Sequence, residues 1–315
     1  MRILIAGTGA VGGYFGARLA DAGHDVVFFA RGRNLAALRE GGLTVGSVDG
    51  DLRLPRVAAT DALAGTAPVE LALVTVKSYD TAATAAAIAP VVTPETIVLS
   101  LQNGIENESL LASALGLPPL LGAMTQIGAE LTAPGVVRHV AQGTIYFGEL
   151  TGHESPRTRT LVELFTAAAI RHRCSRQILL MLWDKLSWNA AFNAVTALTR
   201  TTSGAAARLP ATARLLRAAM LEVIAVARAQ GILLDPARVD GVVAYAGEHL
   251  GELRTSMLQD VERGGRLEHD AINGAVVRIG EAVGVPTPLN ATLVALLSAL
   301  DLARTHPGGD VVVIE

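Results

Sequence analysis

The chain has a single cysteine, Cys174, among its 315 residues. No intramolecular disulfide can form, so stability has to come from packing, as expected of a protein in a reducing cytoplasm. Aromatic residues are scarce at 4% and charged ones make up only 17%. Neither sign of charge dominates: 26 basic and 29 acidic side chains give a net charge of −3, which removes the electrostatic case for nucleic acid. No apolar run reaches the roughly 18–20 residues that a membrane-spanning helix needs, and the most tempting stretch, residues 289–300, is too short and reads as a buried helix. Arg2 is followed by only four apolar residues before Gly7, short of the about 7–15 in the apolar core of an export signal. The seven histidines show no H-x-x-x-H or comparable ligand spacing, so no metal is expected.

What remains is rich in small and aliphatic residues. Half the chain is hydrophobic and 32 residues are glycine, a composition suited to close helix and strand packing. The length exceeds the roughly 100–150 residues of one typical core, so two domains are expected. Residues 2–6, 25–30, 71–76 and 96–101 are short apolar runs bounded by Gly, Asp, Pro or Asn. Helix-compatible stretches at 11–21, 34–40, 79–88 and 106–115 lie between them, an alternation that implies βαβ units and a parallel sheet. A further β-like pair falls at 135–140 and 143–147, joined through Ala141 and Gln142. Residues 151–159 read as a loop, with a helix at 161–169 after it. Beyond about residue 177 helical patterns take over, at 178–199, 213–230, 237–251, 271–283 and 290–304. The expected fold is therefore α/β, with an N-terminal Rossmann-like dinucleotide-binding domain over residues 1–175 and an all-helical domain over 176–315. The boundary is placed at the Arg-rich stretch 171–176, and the last residues, from Pro307 to Glu315, read as a tail or an edge strand.

The first strand runs directly into Gly7-Thr8-Gly9-Ala10-Val11-Gly12, a G-x-G-x-x-G with a strand before it and a helix after it. Gly7 permits the tight turn, Gly9 lets a pyrophosphate approach the backbone, and Gly12 lets helix and strand pack closely. The phosphate would then lie over the open N–H groups at a helix N-terminus. The alternative is a set of glycines serving only the turn. An NAD site usually carries Asp or Glu at the tip of the second strand; here Arg31-Gly32-Arg33 follows instead. Guanidinium groups recognise phosphate oxygens through paired charge-assisted bonds, so NADP(H) is the expected cofactor. Lys77 and Asn103-Gly104 follow the next two strands of the pattern, at positions where open α/β sheets bind ligands. A solvated lysine and a plain turn are the competing readings.

In the second half, Lys185, Asn189 and Asn193 are spaced four apart, which puts them on one face of an otherwise apolar helix. Such a stripe costs stability unless it meets a partner, either a ligand or a hydrogen-bond network. Ser256-Met257-Leu258-Gln259-Asp260 is the second constellation. Ser256 with Gln259 also fits a helix capping box, and Glu268 fits a helix-start carboxylate. His269 beside it reads as a surface helix residue.

Together, Gly7–Gly12, Arg31, Val76-Lys77, Gln102-Asn103-Gly104, Lys185 with Asn189 and Asn193, Ser256–Asp260, and Glu268 followed by Asn273-Gly274 resemble the ketopantoate reductase (2-dehydropantoate 2-reductase) family over nearly the whole chain. The resemblance implies an oxidoreductase that uses NADPH to reduce a 2-keto acid to a 2-hydroxy acid, ketopantoate to pantoate for the namesake of pantothenate and coenzyme A biosynthesis. It implies that Lys185 is the general acid and that Asn189, Asn193 and Ser256 contact the substrate. Asn103 would lie between substrate and cofactor. Gly7, Thr8, Gly9, Ala10, Val11, Gly12, Arg31, Lys77 and Glu268 would serve the cofactor, with a further contact near Ala129. Hydride delivery to a ketone leaves negative charge on oxygen, so a proton donor and fixed dipoles there match the chemistry.

The chain departs from the family pattern in places. Asn193 is followed by Ala194-Val195-Thr196-Ala197, where Pro-Leu-Thr-Ala is common, and Ser203 stands where some members have Asn. These departures leave open which 2-keto acid is used. The rival readings are a paralogous reductase with another substrate, a dehydrogenase of a phosphorylated substrate, and an NADP(H)-binding sensor without turnover. The partner expected is a small molecule, with a homodimer through the apolar helical domain as a further option.

Overall fold

The computed structural model describes residues 1–305; the expected tail or edge strand from Pro307 onward lies outside the described residues. The chain divides into two compact units, Met1–Leu182 and Trp183–Glu315.

The first unit begins with β1 (Arg2–Ala6), α1 (Ala10–Asp21), β2 (Asp25–Phe29), α2 (Gly32–Gly41), β3 (Leu43–Ser47), β4 (Leu52–Leu54), β5 (Ala58–Thr60) and β6 (Leu71–Val74). It continues with α3 (Thr81–Ile88), β7 (Ile97–Ser100), α4 (Asn107–Leu115), β8 (Gly122–Ala133), β9 (Val136–Gly148), α5 (Pro156–Ala167), β10 (Arg171–Cys174) and the start of α6 (Ile178–Trp188). A five-stranded sheet runs in the order β5-β2-β1-β6-β7 with every pairing parallel. Numbered by chain position within the sheet, the order is third, second, first, fourth, fifth, that of a Rossmann half-sheet with its switch point between β1 and β6. The side-chain period of two, with a core on each face, explains why β1 is apolar from Ile3 to Ala6. Ile3 and Ile5 join one core with Phe15 and Phe28, while Leu4 and Ala6 join another with Val74, Ile88 and Leu111.

The second sheet is built around β9, which pairs antiparallel with β8 and parallel with β3 and β10, with β4 on the outer edge of β3. The sequence patterns at 135–140 and 143–147 are one strand, not two joined by a turn. Gln142 and Gly143 take φ of 61° and 95°, and the pairing with β8 slips between Gln126 and Ile127. That is the signature of a β-bulge, which bends a strand without reversing it. The segment 151–159 is likewise not all loop: Ser155 caps α5 in a capping box with Thr158, so the helix starts at Pro156. The Arg-rich stretch at 171 is strand β10 and belongs to this sheet. It is secured by Asp49, in the turn between β3 and β4, whose two carboxylate oxygens accept from Arg171 at 3.0 and 2.8 Å. Tyr14 donates to the same carboxylate at 3.1 Å. The Arg171 bond holds the Asp49 carboxyl below the usual range, against the opposing effect of burial.

The division between units falls inside α6. The second unit is helical throughout its described residues: α7 (Ala194–Thr199), α8 (Ser203–Arg208), α9 (Pro210–Ala229), α10 (Arg238–His249), α11 (Ser256–Glu262), α12 (Ala275–Val283) and α13 (Pro288–Thr305). Two segments are π turns, Asn189–Asn193 between α6 and α7 and Asp270–Gly274 ahead of α12. Helix α13 is one-sided and not buried all round: Leu293 and Leu297 are covered, whereas Leu296 and Leu302 are exposed. Amphipathic spacing of this kind marks an outer helix.

Candidate active site

In the first unit the glycine-rich turn connects β1 to α1 and is held on three sides. The N–H groups of Gly7 and Thr8 both donate to the Phe29 carbonyl at 3.2 Å, which ties the turn to the tip of β2. Thr75, just past β6, donates its hydroxyl to the Gly7 carbonyl at 2.6 Å. Asn34 donates to the Thr8 carbonyl at 2.6 Å and accepts from Gly135 N–H at 2.8 Å, bridging the turn to the β8–β9 connection. The two partners dictate the amide's orientation, since a carbonyl only accepts and an N–H only donates.

The three glycines differ as the dinucleotide motif requires. Gly7 has φ of 109°, and a Cβ there would meet Val76 Cγ1 at 2.6 Å. A Cβ on Gly12 would collide with the Gly7 carbonyl and the Thr75 hydroxyl. Gly9 is the opposite, with nothing within 4 Å of its Cβ position. It is also the N-cap of α1 and lends that helix no side-chain bond. An open face beside uncapped helix N–H groups fits a pyrophosphate. Arg31 caps α2 immediately beyond β2, with its guanidinium 5.6 Å from the centre of the Phe29 ring. Arg31 and Arg33 are both exposed, and neither has a carboxylate partner among the described residues.

Lys77 and Asn103 follow β6 and β7, at the same carboxyl end of the parallel strands as the glycine turn. A buried polar network joins their loops. Gln102 Nε2 donates to the Thr81 hydroxyl at 2.8 Å, Thr81 bonds the Ser78 carbonyl at 2.7 Å and Asn107 Oδ1 at 3.0 Å, and Asn107 Nδ2 donates to the Asn103 carbonyl at 2.8 Å. Ala129 sits elsewhere, on β8 of the second sheet opposite His139, next to a register slip.

In the second unit Lys185 lies half-buried in the last turn of α6, and Asn189 and Asn193 are the first and last residues of the π turn. In an α-helix, residues four apart are offset by about 40° around the axis. The wider π turn reduces that offset between the two asparagines. Both are buried, and Asn193 Nδ2 has no hydrogen-bond partner among the described residues. A buried, unsatisfied amide is costly unless a ligand completes it. The carbonyl of Ala190, inside the turn, accepts from Asn273 Nδ2 at 2.7 Å, so the second π turn braces the first. Asn273 is fixed in turn by Asn290 Oδ1 at 3.0 Å, and Asn290 donates to Glu222 at 2.8 Å. Asn273 is among the residues that carry the family resemblance, whereas Asn290 and Glu222 do not stand out in the sequence, because isolated Asn and Glu residues carry no spacing signal.

Ser256 is the first residue of α11 and is exposed. It is not the helix cap. Thr255 holds that position, accepting from Leu258 N–H at 3.3 Å, so the capping-box alternative for Ser256 is set aside. Glu268 is buried two residues before the second π turn. His269 is half-buried, not simply a surface residue, and its Nε2 lies 2.9 Å from the Ser298 hydroxyl. Burial pushes its pKa down. Among the described residues there is no group of His, Cys, Asp and Glu that could hold a metal and no helix long and apolar enough to cross a membrane.

A Rossmann half-sheet with an open glycine turn, followed by a helical unit with buried polar side chains, defines a dinucleotide-binding oxidoreductase. Residues 3–152 match the ketopantoate reductase PanE/ApbA family, and residues 177–301 match its C-terminal domain. The chain belongs to the ketopantoate reductase family. It is 35% identical over 300 residues to a 2-dehydropantoate 2-reductase of Archaeoglobus fulgidus, covering 95% of this chain and 98% of the relative. It is 32% identical to the enzyme of that name from Mesorhizobium japonicum, covering 96% and 99%. Among solved structures, a PanE/ApbA family ketopantoate reductase from Ralstonia eutropha superposes with a TM-score of 0.89 at 34% identity, covering 97% of this chain and 100% of that one. The ternary complex of D-mandelate dehydrogenase with NADH and anilino(oxo)acetate shares the fold, with a TM-score of 0.87 at 22% identity.

Proposed function

We propose that the protein uses NADPH to reduce 2-dehydropantoate to pantoate, a step of pantothenate and coenzyme A biosynthesis. The carrying observation is the near full-length similarity to relatives named 2-dehydropantoate 2-reductase, in a chain that sets Lys185 and two buried asparagines around a π turn. The main chain of Gly7, Thr8, Gly9, Ala10, Val11 and Gly12 would hold the pyrophosphate, and Arg31 the 2′-phosphate that distinguishes NADPH from NADH. Lys77, Asn103, Glu268 and the region of Ala129 would complete the cofactor side. When bound, NADPH supplies the hydride.

The protein's own part is to hold the keto acid and handle its proton. Charge develops on the carbonyl oxygen as the carbon is reduced, and Lys185 Nζ passes a proton to that oxygen. Asn189, Asn193 and Ser256 bind the carboxylate and hydroxyl groups of the substrate, and Asn103 lies between substrate and cofactor. The unpaired Asn193 Nδ2 supports this assignment, since a substrate oxygen would satisfy it.

The test is consumption of NADPH by purified protein with ketopantoate against a panel of other 2-keto acids. The highest kcat/KM with ketopantoate and NADPH is expected. A higher value for an aromatic 2-keto acid would favour the second reading, a paralogous reductase, since D-mandelate dehydrogenase has the same fold. A preference for NADH would overturn the cofactor assignment.

A further inference from the structure

We infer that Thr196 and Thr255 are positioning residues that fix Ser256 relative to Asn193. The inference rests on the reading of Ser256 and Asn193 as substrate ligands.

The two hydroxyl oxygens are 2.7 Å apart, joining residues 59 positions distant in the chain. Both threonines are buried, and Thr196 is 0% exposed. The direction of every proton in the cluster follows from valence. The Thr196 hydroxyl is 2.7 Å from the Phe192 carbonyl oxygen, which only accepts, so Thr196 donates there. Having one proton, Thr196 must then accept from Thr255. Thr255 in turn accepts from Leu258 N–H at 3.3 Å. One ordered chain results: Leu258 N–H to Thr255, Thr255 to Thr196, and Thr196 to the Phe192 carbonyl.

The two ends of this chain are what give it a role. The Phe192 carbonyl and the Asn193 nitrogen belong to the same peptide plane, so the acceptor end fixes the backbone from which Asn193 projects. At the other end Thr255 is the N-cap of α11, with φ of −65° and ψ of 159°. Ser256 is the next residue, and holding the Thr255 hydroxyl holds the cap geometry that aims it. A threonine bonded only to the carbonyl four residues back is a routine local arrangement. The additional bond to the cap of another helix is what links the two candidate ligands. Neither threonine touches the reacting atoms in this scheme.

Thr196→Val keeps the shape and removes both bonds. We expect it to raise KM for ketopantoate about tenfold, with kcat changed far less, because small misplacements of binding groups are costly. The dissociation constant of NADPH should not move. Thr196→Ser keeps the hydroxyl and should restore KM. In a Ser256→Ala background Thr196→Val should raise KM by clearly less than it does alone, since part of its effect runs through Ser256 and only the part through Asn193 is left. If Thr196→Val does not fold, Thr196→Cys, with only a weak donor, serves the same comparison. A Thr196→Val protein with a lowered Tm and an unchanged KM overturns the inference, as do independent, multiplying effects in the double variant. Ser256→Ala with unchanged KM overturns the ligand reading of Ser256 and the inference with it. A raised KM in Ser256→Ala beside a normal KM in Thr196→Val overturns the inference alone.

Discussion

The Asn34 side chain clamps the carbonyl of Thr8 at 2.6 Å from outside the glycine-rich turn, while its oxygen holds Gly135, 101 residues further on. The turn is thereby anchored to the second sheet of its own unit as well as to β2 and β6. Asn34→Ala strands both partners, at about 1–3 kcal/mol for each buried group left unpaired. It should weaken NADPH binding roughly tenfold or more, as read by nucleotide fluorescence titration. Asn34→Asp should fail too, because a carboxylate accepts from Gly135 but cannot donate to Thr8. Wild-type affinity in both variants would show that the turn stands without the clamp.

In the proposed function Arg31 decides between the two nicotinamide cofactors. Arg31→Ala should raise the NADPH dissociation constant about tenfold or more and leave the NADH constant nearly unchanged, because charge-assisted bonds to phosphate would be lost. Equal losses for both cofactors would place Arg31 outside the 2′-phosphate site.

Lys185 carries the proton in the proposed reaction. Lys185→Ala should lower kcat by about 10²–10⁴, the range for a missing general acid, with NADPH affinity retained. Near-normal turnover would remove Lys185 from the chemistry.

Acid stability should depend on the Asp49–Arg171 pair. The folded-state pKa of Asp49 is lowered, first of all by the Arg171 bond. The unfolded state therefore binds the proton more readily, and the contribution is intact above the model-peptide value of 3.8 and lost as pH falls through the lower folded value. Arg171→Met should flatten the fall in Tm with acidification in that window and lower Tm at neutral pH. An unaltered acid limb would assign it to other carboxylates, Glu149 with its Arg157 partner first among them.

Much of the first sheet is legible from local pattern. Residues 2–6 emerge as β1 with the same bounds, because a strand buried on both faces has to be apolar where it is covered, here from Ile3 to Ala6. β8 is not legible: Gly122–Ala133 mixes Gly, Thr, Gln and Glu, and pairs by long-range register, which composition does not encode. The bulge at Gln142 and Gly143 mimics a turn because both need positive φ. On the site side, Lys185, Asn189 and Asn193 stand out as polar residues in an apolar stretch. Their π turn does not, since hydrogen-bond register leaves no mark on residue type. The cap at Thr255 was one residue from the one the capping-box spacing suggests, and its bond to Thr196 spans two helices.

The π turn at Asn189–Asn193 has a consequence for everything after it. It houses one residue more than an α-helical turn would, so it resets the angular phase of the helix that follows. Deleting a single residue there and letting the helix close up would rotate α7 by about 100°. Thr196 would then turn away from Thr255, and the chain of protons between the two helices would break. Length in this segment is thus under tighter constraint than identity: a conservative exchange at a buried position changes a contact, but a one-residue deletion changes which face of the helix looks inward.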